Sequence, residues 1–494
     1  MPTTWSLPRS GGASRWHASE RELPSRHPFG LVVPAMNHGL DTAAIAVVAG
    51  CVILWSVVSA RLERINITAP IAFVALGLIV THEPVALIHV GLHSSAILGI
   101  AEITLALVLF ADASRVNVHA VRADAALPGR LLGIGLPLTI GLGAAAAVIG
   151  AIVAPTDAAL GASILQDDRV PARVRRVLNV ESGLNDGIAT PFVNLFLAAA
   201  VDEETTHSGG VGAAVVKIAV GVLIGGGAGL IGAVLLRYTK AHGWGAPAFQ
   251  PLAVLGIALL AYAAAVEGGG NGFVAAFAGG LAFGSIMPKG QAATLGFTDD
   301  AGELLSLLVW FLFGATMIVP AFEHFIWQDA VFAVLALTAV RMAPVALALT
   351  GTGLDRATVS FIGWFGPRGL ASVVFALIAV DSLDPADGDR VLAAVSLTVL
   401  LSVVAHGVTA SPLAARYGAL AARDPQRSEQ AETPVLATRS LAGDRHHPSA
   451  TTAGRISPLS SAVRHRGAVQ HQEPVPWGRR DDDVPGWCRP GWTP

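Results

Sequence analysis

Charge is scarce in this chain. Only 14% of its 494 residues are Asp, Glu, Lys or Arg, against about 25% in ordinary soluble domains. With 53% hydrophobic residues, that depletion argues against a soluble globular domain. The net charge of −3 offers no basic footprint for a nucleic acid. Cysteine is nearly absent too. Cys51 lies in an apolar run and Cys488 near the C-terminus, so neither a disulfide framework nor a zinc site is expected. Residues 1–35 lack the basic, apolar and cleavage regions of a signal peptide in their order. No nucleophile elbow, haem motif or HExxH helix occurs. The glycine run "GVLIGGGAGLIG" lacks the strand and lysine of a phosphate loop and reads as close helix packing. No cofactor is implied.

What the chain does have is apolar length. Runs near 43–60, 68–80, 96–112, 131–147, 149–165, 180–200, 212–236, 250–266, 272–286, 304–321, 330–350, 364–380 and 391–411 approach or reach the roughly 17–25 residues that span a bilayer. The expected fold class is therefore an all-α polytopic membrane protein with about 13 transmembrane helices, occupying 36–421. Residues 1–35 read as a disordered extension, with Met36 as a possible true start. Residues 422–494 read as a disordered tail.

Lys and Arg set the orientation. The loops near 81–95, 201–211, 267–271 and 322–329 contain neither, whereas those between carry Arg61, Arg115, Arg169, Arg237, Lys289 and Arg356. The basic loops and the C-terminal tail should face the cytoplasm. Arg390, beside an outer loop, is the exception. Residues 131–165 have basic flanks on both sides, so an even number of crossings must fit there. Two short helices with almost no loop would satisfy that, as would a broken or re-entrant helix.

That stretch contains "VAPTDAALGAS". Pro155 interrupts the helical ladder, and Thr156 and Asp157 follow at membrane depth. Irregular backbone is tolerated there only where protein or a water-filled cavity satisfies it, and a carboxylate at that depth reads as functional. The next span holds "NVESGLNDGIATPF". Glu181, Ser182, Asn185 and Asp186 form a polar patch on it. Gly183 and Gly187 have the spacing of a close helix seam. A buried carboxylate can take a proton or pair with a cation, and that choice is the minimal requirement for exchange. Oxygen ligands suit a hard ion such as Na⁺ or Li⁺. Asp186 with Asp157, Asn185, Thr156 and Ser182 is the candidate cation and proton site. Asp186 and Asp157 would hold the transported Na⁺ itself.

Arg341, inside the eleventh run, needs an internal counter-charge, and Glu181 is the candidate. Arg368, in "GWFGPRGLASV", reads equally as an anchor or as support for a second broken helix. Glu102 is buried with no evident partner. "TDDAGELLS" resembles a cap before the tenth span, and "EGGGNG" an external turn.

Taken together, "APTDAALG", "LNVESGLNDGIATPF", "RMAPVAL", "GPRGLASV" and "HGVTASPLA" resemble the monovalent cation:proton antiporters of the NhaP and sodium/hydrogen exchanger type, over about 43–415. The resemblance implies an inverted-repeat antiporter fold with two discontinuous helices, the ion bound between them. It also implies a homodimer among lipids of a bacterial plasma membrane. Carried over, the family's essential aspartate falls on Asp186, its Thr-Asp pair on Thr156 and Asp157, and its glutamate–arginine pair on Glu181 and Arg341. Asn185 stands where the electrogenic branch has a second aspartate. The resemblance therefore implies electroneutral exchange of one cation, Na⁺ or possibly Li⁺, for one proton. K⁺/H⁺ exchange at the same site is the alternative, and a channel or sensor is more remote. The connection between the fourth and fifth helices is shorter than the family pattern.

Overall fold

A backbone in lipid must satisfy its own hydrogen bonds, and this chain does so with helices. The computed structural model describes residues 42–88, 91, 94–116, 126–143, 147–157, 159–204, 210–287 and 292–423. The readings of 1–35, Met36 and the tail beyond 423 lie outside the described residues. Among those described, eight helices are long and apolar enough to cross a membrane, and four shorter apolar helices accompany them. Adding the broken segment 147–165 gives the thirteen crossings that the sequence suggests.

In order, the elements are α1 (Thr42–Glu63), α2 (Ala69–Thr81), α3 (Ser95–Arg115), α4 (126–143), α5 (Ala147–Ile152), α6 (Ala162–Leu165) and α7 (Ala172–Glu204). Then come α8 (Gly210–Ala241), α9 (Gln250–Glu267), α10 (Gly272–Ile286), α11 (292–323), α12 (Trp327–Leu337), α13 (Ala339–Ala348), α14 (Arg356–Trp364), α15 (Leu370–Ser382) and α16 (Pro385–Ala421). A π turn interrupts α4 at Leu131–Gly135 and α11 at Phe313–Met317.

Three readings change. "TDDAGELLS" is no cap: it lies inside the first part of α11, Ala292–Leu312, where Asp299 pairs with Arg115 of α3. A bonded partner on another helix lets an acidic run stay helical. The eleventh crossing is not continuous, because Thr338 departs from helical angles (φ −112°, ψ −92°) between α12 and α13. The twelfth begins earlier than expected, as the short helix α14, and breaks at 365–369 before α15. The stretch 131–165 resolves into α4, then α5 and α6, with irregular backbone at 153–157 and 159–161 between the last two.

Glycine sets how closely several helices approach. A Cβ built on Gly221, Gly225 or Gly229 of α8 would fall 2.5, 2.1 or 2.0 Å from a backbone oxygen at Asn271, Ala275 or Gly279. Backbone therefore meets backbone between α8 and α10. The expected seam at Gly187 is different: the close neighbour there is the ring of Phe277. Caps finish the helices. Asn271 accepts from Val274 N at 2.9 Å, ending the "EGGGNG" turn, and Arg130 donates to Thr350 O at 2.6 Å beyond α13. Arg390, the exception among the outer charges, is neutralised by Asp329 at 2.8 Å.

The seam yields a test. Gly225→Val must separate α8 from α10 and should cost about 1–3 kcal/mol, as other overpacking substitutions do. Gly226→Ala, with nothing within 4 Å of the added Cβ, should leave stability unchanged or slightly raised. Thermal unfolding of the two purified variants in detergent compares them.

Candidate functional site

The two broken helices meet at their breaks. Where the backbone around Pro155 leaves the helix, the guanidinium of Arg368 donates to Ala154 O and Pro155 O, at 2.5 and 3.2 Å from Nη1. Asp157 N donates to Pro367 O at 2.7 Å. Ser372 Oγ donates to Ile152 O at 2.7 Å. Each break thus satisfies the other's backbone, as membrane depth demands. The glycines of "GPRG" permit the approach: a Cβ on Gly369 would fall 2.1 Å from Asp157 Oδ2, and one on Gly366 would fall 2.3 Å from Arg341 Nε.

Asp157 bridges the crossing. Its Oδ1 accepts from Ala159 N at 2.7 Å, and its Oδ2 accepts from Leu370 N at 2.8 Å. One carboxylate thereby caps the second half of the first break and the start of α15, where the helix dipole favours an anion.

The polar patch of α7 faces this crossing. Asn185 Nδ2 donates to Thr156 Oγ1 at 3.0 Å and lies 3.3 Å from Glu181 Oε1. Thr156 Oγ1 lies 3.4 Å from Ser182 Oγ. Arg341 of α13 grips Glu181 in two parallel bonds of 2.8 Å each, with 2% and 1% of the two residues exposed. Arg368 is 0% exposed. Asp186 itself is half-buried, one residue beyond Asn185. Asn185 Oδ1 is buried and accepts no hydrogen bond among the described residues.

The structure brings Thr156, Ser182, Asn185 and Glu181 into direct contact. Asp157 and Arg368 bind the crossing itself, and Asp186 continues the patch along α7. Two partnerships gave no signal in the sequence. Tyr262 OH donates to Glu102 Oε2 at 3.0 Å, joining α9 to α3. Ser402 and His406 of α16 reach the second break. Outside the membrane segments, Arg169 forks onto Asp167 and its hydrogen bond holds that carboxyl below the usual carboxylate range.

Breaking the Glu181–Arg341 pair from one side strands a buried charge, which costs about 3–5 kcal/mol. Arg341→Met alone should lower the unfolding midpoint sharply. Arg341→Met with Glu181→Gln should restore most of it, since the amide can still accept from Asn185. Melting curves of the single and double variants make the comparison.

Comparison with known proteins follows the same outline. Residues 48–416 match the family model described as "Sodium/hydrogen exchanger, transmembrane". The chain is 28% identical over 385 residues to the K(+)/H(+) antiporter NhaP of Alkalimonas amylolytica, covering 74% of this chain and 66% of that protein. It is 27% identical over 353 residues to the K(+)/H(+) antiporter NhaP2 of Shewanella sp. (strain ANA-3), covering 67% and 59%. The matched stretch is thus about three-fifths to two-thirds of these relatives' length. The structure of the sodium proton antiporter MjNhaP1 from Methanocaldococcus jannaschii superposes with a TM-score of 0.60 at 20% identity, over 76% of this chain and 99% of that one, a likeness of fold. With the family model spanning three-quarters of its length, the chain belongs to the transmembrane sodium/hydrogen exchanger family.

Proposed function

We propose that the chain is a secondary active antiporter that exchanges one monovalent cation for one proton at Asp186. The supporting observation is where Asp186 stands: half-buried on α7, directly after Asn185, whose amide reaches Thr156 at the crossing of the two breaks. A carboxylate in such surroundings can hold a proton or a cation, one in place of the other. A proton and a monovalent cation bring the same single charge, so exchange of one for one would move no net charge.

The oxygens proposed to join Asp186 around the cation are those of Asn185, Thr156 and Ser182, which contact one another, and Asn185 Oδ1 accepts no hydrogen bond among the described residues. Asp157 contributes its charge to the site while its oxygens hold backbone N–H groups. Glu181 with Arg341, and Arg368 with Pro155, would keep the site in shape. Discontinuous helices that meet at mid-membrane are the usual ion-binding element of transporters with inverted repeats. Alternating access would then open Asp186 to one side at a time.

Na⁺, with Li⁺, is the leading cation on the chemistry of hard oxygen ligands. K⁺ is a specific second reading, because the relatives from Alkalimonas and Shewanella are K(+)/H(+) antiporters by name. The loops that carry Lys and Arg, and the C-terminal tail, would face the cytoplasm of a plasma membrane. The outward apolar faces of α1 and α8, with Val57 77% and Leu223 75% exposed, suit lipid and a second copy of the chain.

Proteoliposomes with a pH-sensitive dye test the reading. Asp186→Asn should abolish cation-dependent proton movement, and the apparent KM for the cation should rise as pH falls, because both ligands compete for one carboxylate. Clamping the membrane potential at two values should leave the rate unchanged. A series of Na⁺, Li⁺ and K⁺ additions separates the two selectivities. Full exchange in Asp186→Asn would remove that residue from the mechanism.

A further inference from the structure

The motif "HGVTASPLA" lies on α16 and has no part in the ion chemistry above. Its helix nevertheless holds the second break from behind. Arg368 N donates to Ser402 Oγ at 2.7 Å. Ser402 Oγ lies 3.2 Å from His406 Nδ1, which is also 2.8 Å from Ser402 O. His406 Nε2 lies 2.9 Å from Trp364 O, the last carbonyl of α14. Each ring nitrogen faces a carbonyl oxygen, so a hydrogen on Nε2 is donated to Trp364 O and a hydrogen on Nδ1 to Ser402 O. A continuous chain then runs from one end of the break, at Trp364, to the other, at Arg368. The indole of Trp364 stacks on His406, with centroids 5.0 Å apart, and its Nε1 donates to Thr409 Oγ1 at 3.0 Å. His406 and Ser402 are 2% and 0% exposed.

We infer that Ser402 and His406 are positioning residues for ion binding, holding backbone 364–368 in the register that the crossing requires. On its other side, the same segment presents Pro367 O to Asp157 N and the Arg368 side chain to Ala154 and Pro155. Releasing α16 lets those contacts shift, and with them Thr156, which carries Asn185. Neither residue touches the ion. The transport part of this inference rests on the exchange reading above; the clamp itself does not.

The test therefore has two readouts on the full chain: hydrogen–deuterium exchange of the segment 364–370, and the cation KM in proteoliposomes. Removing one net hydrogen bond changes an opening equilibrium by about five-fold. Ser402→Ala and His406→Ala should each speed exchange of that segment by about this factor while leaving α8 and α10 unchanged. Each should raise the apparent cation KM more than it lowers the maximal rate. The double variant should be no worse than the worse single variant, because both act through one chain of bonds. His406→Gln, which keeps a donor near the position of Nε2, should recover most of the loss. Should the alanine variants fail to assemble, His406→Asn decides. Its amide can still bond Ser402 but falls short of Trp364 O, so exchange of the segment should rise. Unchanged protection of 364–370, or fully additive losses, overturns the clamp. Faster exchange with an unchanged KM overturns its role in ion binding. Exchange that survives Asp186→Asn would instead overturn the ion site.

Discussion

A membrane has no water to repair a broken helix, and the rest of this structure follows from how that is handled at one place. Two helices are interrupted at the same depth, and each supplies what the other lacks. Arg368 gives its guanidinium to the carbonyls at Ala154 and Pro155, and Asp157 gives its carboxylate to the N–H at Leu370. Two opposite charges are thereby fixed by backbone groups rather than by each other. That arrangement sets the polar, irregular backbone of the breaks against Asn185 of α7, through Thr156.

Much of this could be read in the sequence where the signal was local or where charge demanded a partner. Pro155 followed by Thr156 and Asp157 marks a break within an apolar run. Loops without Lys or Arg count the crossings. Glu181 and Arg341 lie 160 residues apart, yet each is a lone charge in an apolar span, and opposite charges are scarce enough to suggest the pairing. What could not be read depends on which helices become neighbours. "TDDAGELLS" has the composition of a cap, but Arg115 makes it helix interior. Nothing around Thr338 announces a break, and Pro344 stands six residues further on, inside α13. Tyr262 and Glu102 find each other only after α9 meets α3. For Arg368, anchor and helix support fit the sequence equally well, and only the first break, opposite its side chain, tells them apart.

The two kinds of contact in the fold have different tolerances. Around the crossing, specificity comes from hydrogen bonds whose geometry a single atom can spoil. Between α8 and α10 it comes from the absence of side chains, and the apolar character of the helices does not encode it. Hydropathy finds both helices but cannot tell a lipid-facing glycine from one pressed against a carbonyl.

The glycine contact between α8 and α10 also limits how the molecule can deform. Side-chain interfaces rearrange by exchanging rotamers, each step being a small hop between staggered wells. Contacts of main chain on main chain have no such intermediate arrangements. They stay mated or they part, so thermal fluctuations should carry α8 and α10 as one stiff plate, and gradual slippage belongs to boundaries lined by branched or aromatic groups.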